Sequence, residues 1–494
     1  MNKKKLFALI LAAAITCGLV SACSNGADGG AIDTGESVTA ADETVQTETT
    51  VIAPNIKAID CGGRDYTILN RKVTPNYNGH PYAEFSAEEE TGEVLNDAVY
   101  KRNLYIEEKY NLNIVSVEAE DVFTEAQKTI MASDASFDLI SIGPRYAFTL
   151  AINNLLQNIN NLPYIDFDKQ WWMSYVLESS SVGGKNYFMA GMMNIGMLNT
   201  VGITYLNKSL ADTFNIKYPY EDVKAGIWTM DNMLSLSKIV TSDLNGDGKF
   251  DENDRYGIVC SSFAWQPLYY GTDNLIIKKD QNDLPYFDSG NERMYDTLVK
   301  IIEMLNNKET TINVNHLTGY TDLGALTVEI FKTDKALFFI ELIYGVPPLR
   351  DMESDFGILP MPKYDENQKR YSTYIHTQHS TVMAVPVTNS DNELTGSLLE
   401  DFAYKSYELI LPTFYDIMLK TKFARDNESA EMLDIIYENI SIDIALLMID
   451  SGINVDNILR GACTAGDTSI TSKLAANKEA YDKALEKAVE ALMK

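Results

Sequence analysis

The chain has 494 residues, with 41 Lys and Arg against 70 Asp and Glu, a formal charge of −29. So acidic a chain lacks the Lys and Arg that phosphate contacts need, which argues against a nucleic-acid binder, and charge alone would not hold it to an anionic membrane. With 45% hydrophobic and 10% aromatic residues it is not disordered throughout, and its length predicts two or three domains.

Lys3, Lys4 and Lys5 precede an apolar run from Leu6 to Val20, the layout of a secretory signal peptide over residues 1–22. The run is short for a membrane span. Val20-Ser21-Ala22-Cys23 resembles the lipobox of bacterial lipoproteins, in which the cysteine is diacylated and becomes the new N-terminus. The alternative is an ordinary cleavage site beside a chance cysteine. Cleavage would leave 38 basic and 70 acidic residues, a formal −32. Residues 23–56 then form the lipid-bearing Cys23 and a flexible acidic linker: from Ser24 to about Thr50 the chain has no aromatic residue. Cys61, Cys260 and Cys463 have no metal-ligand spacing and no disulfide pattern, and are expected as small buried hydrophobes.

The globular part begins near Ile56. Tyr66–Leu69 reads as a strand. Ser86-Ala87-Glu88-Glu89 has capping-box form, and a helix opened there or slightly later places Leu95, Ala98, Val99, Tyr105 and Ile106 on one face. A strand from Leu112 to Val117, a helix around Phe123–Met131, a strand from Phe137 to Ile142 ended by Gly143-Pro144, and a helix over Phe148–Leu156 follow. This alternation predicts a mostly parallel α/β sheet that binds ligand beyond its strands' carboxyl ends, at Asn70-Arg71 and Gly143-Pro144-Arg145-Tyr146.

In the middle third, residues 243–254 follow the EF-hand loop rule. Asp243, Asn245, Asp247, Asp251 and Asp254 supply side-chain oxygens at positions 1, 3, 5, 9 and 12, Gly246 stands at position 6, and Lys249 offers its carbonyl at position 7. A structural Ca2+ is expected; the alternative is a polar turn without an ion. Asp254 in place of Glu shortens the bidentate reach.

Several further segments carry a family resemblance. Trp171-Trp172 precedes Val182-Gly183-Gly184-Lys185-Asn186-Tyr187, similar to a "GGK-Y" hairpin. Thr204-Tyr205-Leu206-Asn207-Lys208 looks like "-YNK-L", Gly226-Ile227-Trp228-Thr229-Met230-Asp231 like "G-WTWD", and Phe356-Gly357-Ile358-Leu359-Pro360-Met361-Pro362 like "-YG-LP-P"; Lys335–Phe339 looks like a returning strand. In this order they resemble the extracellular solute-binding lipoproteins of bacterial ABC importers, family 1, the maltose-binding-like carbohydrate binders. The match runs over nearly all the chain from about residue 60, although the chain is longer than the compact sugar binders and its calcium loop is an insertion that only some members carry.

The resemblance implies a two-lobed, type II periplasmic-binding-protein-like α/β fold closing by a hinge. Lobe 1 would take 57–200 and 344–408; lobe 2 would take 201–343 and 409–494, with a helical C-terminal part. It implies a sugar ligand, ABC permease partners, a monomer, and anchorage at the extracytoplasmic face of the cell membrane. Sugars need aromatic platforms and planar hydrogen-bonding groups. Arg71, Arg145, Tyr146, Trp172, Trp265, Tyr269, Tyr270, Tyr344 and His376 are the candidates, although Trp265, Tyr269 and Tyr270 could equally form a core cluster. Trp171 and Trp172, adjacent in an extended segment, should point opposite ways, so at most one is a platform. His376 and His379 are read as cleft or surface groups rather than metal ligands. No Gly-x-Ser-x-Gly elbow or P-loop occurs, and the expectation is a binder, not an enzyme. A secreted glycan-degrading enzyme and a surface adhesin or sensor lipoprotein are the alternatives.

Overall fold

The computed structural model describes residues 53–56, 59–74, 82–345, 349, 351–420 and 427–494; the predicted signal peptide, Cys23 and nearly all of the predicted linker lie outside them. Contacts gather Ile56–Lys494 into one compact unit. Its strands, in chain order, are β1 (Arg64–Arg71), β2 (Leu112–Ala119), β3 (Leu139–Ile142), β4 (Gly202–Asn207), β5 (Tyr256–Cys260), β6 (Ile277–Lys279), β7 (Pro285–Phe287), β8 (Thr311–Asn313), β9 (Ala336–Leu342), β10 (Phe356–Leu359), β11 (Thr373–Tyr374), β12 (Val382–Ala384) and β13 (Ile440–Ser441).

Two larger sheets result, beside two two-stranded ones, β11-β13 and β6-β7. The first has the order β12-β3-β1-β2, with β1 parallel to β2 and β3, and β12 antiparallel to β3. Its strands alternate with helices as predicted; β1 and β2 run slightly longer than expected, and three other boundaries differ for local reasons. The first helix is Val94–Tyr110, capped by the Glu93 carboxylate on the Leu95 and Asn96 amides, while Ser86 instead donates to Glu118. The helix after β3 starts at once, at Pro144, and runs to Ile152, because a proline at the first helical position gives up only an amide that has no partner there anyway. Asp138 accepts from the Thr67 amide and pairs with Arg64, so β3 proper begins at Leu139.

The second sheet has the order β10-β4-β9-β5-β8. β5 runs parallel to β8 and β9, whereas β4 and β10 run antiparallel to their neighbours. β10 therefore corrects the lobe boundary drawn at residue 344: the chain stays with the second sheet through Leu359, held by the β10–β4 ladder, and reaches the first sheet only at β12. The boundary at 408 also falls inside one continuous helix, Asn392–Lys420, which packs on Val94–Tyr110. There Asp401 accepts from Tyr110 Oη and pairs with Lys109 at 2.5 Å, and Phe85 meets Phe402 edge-on, with the Arg102 guanidinium 5.1 and 5.2 Å from the two ring centroids.

Local chemistry explains the other predicted motifs. Gly183 and Gly184 take positive φ of 57° and 72°, as the tight hairpin between Val182 and Lys185 requires. Thr229 caps the helix Met230–Val240 through the Asn232 amide. The helix Lys478–Leu492 ties the hairpin to the rest of the molecule: the Leu492 carbonyl accepts from Lys185 Nζ at 3.2 Å and from Tyr187 Oη, while Tyr481 packs edge-on to Phe287 at 5.4 Å. The Gly183 amide donates to the Asp283 carbonyl at 3.0 Å, on the turn between β6 and β7.

The two tryptophans overturn the alternation argument. Both are buried and both indole N–H groups converge on Glu400, Trp171 Nε1 at 3.0 Å and Trp172 Nε1 at 2.8 Å. A turn ends at Trp171-Trp172, so the extended-chain rule does not apply. Trp172 is thus a core residue, not a platform. The Asp166 amide adds a third donor to Glu400. Glu400→Ala would strand these buried donors, and urea unfolding should show a loss of about 3 kcal/mol; an unchanged midpoint would refute this role.

Candidate functional site

The carboxyl ends of β1 and β3 and the residues just after β2 border a cavity of about 350 Å3. Arg71 closes one side, Glu120, Asp121 and Phe123 another, and Gly143 and Tyr146 a third. Phe123 and Tyr146 lie 5.6 Å apart with planes 35° from parallel, and the Arg145 guanidinium stands 5.0 Å from the Tyr146 centroid. Arg145 Nε is 2.8 Å from the Asp450 carboxylate, which joins this rim to the C-terminal helical region. The predicted Arg71, Arg145 and Tyr146 therefore do come together, at the strand ends named from the sequence.

The facing wall is residues 376–381. Its backbone docks on the helix Pro144–Ile152: the Arg145 amide donates to the Thr377 carbonyl at 3.2 Å, and Arg71 Nη1 to the Gln378 carbonyl at 3.5 Å. Gly143 permits this approach, since a Cβ there would sit 2.9 Å from the Gln378 carbonyl oxygen. His376 Nδ1 accepts from the amides of Gln378 and His379, and the two imidazole centroids are 4.2 Å apart. Enclosure, then His379 and the positive charges of Arg145 and Arg460, hold His376 well below its ordinary range. Enclosure, then Arg71 and Arg145, bring His379 down to about 4. Both rings are neutral at pH 7. The two rings lie tilted against each other, their planes 34° apart.

The second sheet presents its carboxyl rim to the other side of this wall. Phe263 follows β5 and stacks on His376 at 5.5 Å and 27°, with the Arg460 guanidinium 5.8 Å from its centroid. Arg460 pairs with Asp456 at 3.0 Å. Tyr344, partly exposed, follows β9. The other aromatic candidates lie deeper. Trp265 is fully buried and donates to Asp456 at 3.2 Å; Tyr269 and Tyr270 are buried, and Tyr270 stacks on Tyr374 at 5.8 Å. These three are the core cluster that supports the rim, which corrects their placement as ligand contacts. Phe123, Phe263 and Arg460 are rim residues the sequence reading did not single out. Phe263 sits beside Trp265 in the same segment, and only its position after β5 distinguishes it.

The acidic loop lies elsewhere, after the helix Met230–Val240. Asp243 accepts from the Gly246 and Gly248 amides, Asn245 from Asp247, Asp247 from Lys249, Asp251 from Asn253, and the buried Asp254 from Leu244 and Asp251. Every side chain named for calcium thus bends over its own loop. Among the described residues no group of three or more His, Cys, Asp or Glu is gathered as for a metal. Of the cysteines, Cys260 and Cys463 are buried and Cys61 is partly exposed.

No protein-family model and no curated relative matches this sequence. Solved structures do match in fold. An ABC substrate-binding protein, Lmo0181, from Listeria monocytogenes in complex with cycloalternan has 13% identity and a TM-score of 0.50, over 87% of this chain and 98% of that one. A cyclo/maltodextrin-binding protein complexed with maltotetraose has 13% identity and a TM-score of 0.55, over 87% and 96%. The apo-form of RafE from Streptococcus pneumoniae has 11% identity and a TM-score of 0.51, over 87% and 97%. The fold is therefore that of the two-lobed, type II binding proteins.

Two tests follow. Gly143→Ala should push the 376–381 wall off the first rim and cost about 1–3 kcal/mol; wild-type stability would refute the close docking. His379, with its folded pKa below the unfolded one, contributes stability that is present above about pH 6.5 and lost as pH falls towards 4. His379→Gln should flatten the melting temperature over that window, and an unchanged acid limb would refute it.

Proposed function

We propose that this chain is the solute receptor of a bacterial ABC importer, and that its solute is a carbohydrate, an oligosaccharide in particular. The observation that carries this reading is the meeting of two carboxyl rims on one wall, where Phe123 and Tyr146 from one sheet and Phe263 from the other stand among arginines and carboxylates. Flat apolar rings with planar polar groups match the weakly apolar faces and hydroxyl edges of sugars. The sugars in the cycloalternan and maltotetraose complexes of the same fold support the choice. A ligand touching both rims has more contacts when the lobes are closed and so favours that state, which the permease would then recognise. Binding without turnover is the expected behaviour.

The rest of the reading comes from the sequence. Cys23 is lipidated and holds the receptor at the outer face of the cell membrane through the acidic linker; no helix among the described residues is long and apolar enough to cross a membrane. Asp243, Asn245, Asp247, Asp251 and Asp254, with the Lys249 carbonyl, take a structural Ca2+ that replaces their local amide contacts.

A thermal-shift screen of neutral and acidic oligosaccharides, with dipeptides as controls, tests the ligand class. A sugar at about 100 times its Kd should stabilise the fold by about 2.7 kcal/mol. A response to dipeptides alone would discard the sugar, and hydrolysis of a hit would discard the receptor reading. Calcium should raise the melting temperature over EGTA, and Asp243→Ala should abolish the difference; equal melting in both buffers refutes the ion.

A further inference from the structure

The chain satisfies most of its buried acids generously. Glu84 accepts from Ser141, Thr381 and the Gly196 amide, and Asp443 accepts from the amides of Ile276, Ile277 and Ala445. Glu341, half-buried, is satisfied more thinly. It is the next-to-last residue of β9, the central strand of the second sheet, and so stands at the carboxyl rim. Its one hydrogen bond is from the Leu342 amide to Oε1 at 2.9 Å, and among the described residues no cation pairs with it. Part of the side chain still meets solvent, yet enclosure of the carboxyl pushes it up to about 7. The titratable groups that feel its charge are Tyr205 on β4, Cys260 on β5 and Tyr374 on β11, and Tyr344 in turn acts on Tyr205 and Tyr374. Beyond Tyr374 lie Arg460 and Asp456, already paired with each other.

A strand-end carboxyl could merely cap one amide. That role uses Oε1 alone and leaves Oε2 open to solvent at the rim, where a ligand can reach it. Costly groups persist where they have work to do on a ligand.

We propose that Glu341 is the second lobe's direct contact to the ligand, and that it accepts hydrogen bonds from the hydroxyls of a neutral sugar. The inference rests on the carbohydrate reading above and refines it. Two neighbouring hydroxyls on one ring can donate together to a carboxylate, an arrangement with the directionality of other bidentate pairs. Charge matching favours a neutral ligand. Arg145 is held by Asp450 and Arg460 by Asp456, so an acidic sugar would meet Glu341 without a spare guanidinium from either pair.

The test is titration calorimetry on the full chain, with maltotetraose and other neutral α- and β-linked tetrasaccharides as probes and uronate-containing oligosaccharides beside them. Glu341→Ala should weaken the best neutral probe by about 10-fold to 100-fold. Its stability at pH 8 should equal or exceed wild type, because a costly ionised group has gone; a purely structural carboxyl would give the reverse. Hydroxyls donate to the ionised form, so wild-type binding should tighten from pH 6 to pH 8, and the isosteric Glu341→Gln should bind with a flat profile. Unchanged affinity in Glu341→Ala, the same pH profile in Glu341→Gln, or tighter binding of a uronate probe would each overturn the inference while leaving the carbohydrate reading in place. A folded wild type that binds no sugar probe would overturn both.

Discussion

The carboxylate of Glu84 holds together the parts from which the first rim is built. It lies in the segment before the helix Val94–Tyr110, yet it accepts from Ser141 on β3, from Thr381 at the end of the wall, and from the Gly196 amide on the chain about to leave for the second sheet. Burial alone would raise its pKa and make its charge costly; these donors and the nearby Arg102 offset that cost. Arg102 is itself wedged between Phe85 and Phe402 and donates to the Glu84 carbonyl. Three stretches far apart in sequence thus share one acceptor, and the wall cannot slide along β3 without stranding it. Fully satisfied polar networks of this kind specify an arrangement more than they add stability.

Much of the fold was readable where its signals are local. Strand alternation, the Gly183-Gly184 turn and the Thr229 cap each depend on residues a few positions apart. The placement of Arg71, Arg145 and Tyr146 followed from one topological rule, that parallel sheets bind ligand at their carboxyl ends. What was not readable depends on long-range partners. Nothing near Trp172 announces Glu400, which is 228 residues away in the chain. The helix Asn392–Lys420 continues through Pro412, so a boundary at 408 had no local mark to find or to avoid.

The aromatic surplus shows the same limit. Trp265, Tyr269 and Tyr270 read from the sequence equally as sugar platforms or as a core cluster, and with Tyr374 they assemble into a packed cluster beneath the rim. Phe263, at the edge of that cluster, is the ring that reaches the wall. Composition reveals that rings are abundant; only the position of each on a strand end decides which one is left facing outward.

The hairpin at Gly183-Gly184 is fastened on one side to the turn at Asp283 and on the other to the end of the helix Lys478–Leu492. It belongs to the chain before β4, whereas Asp283 follows β5. Three stretches far apart in the chain therefore meet at one small knot, and a change at residue 183, 283 or 492 reaches the other two through the amides and carbonyls they share.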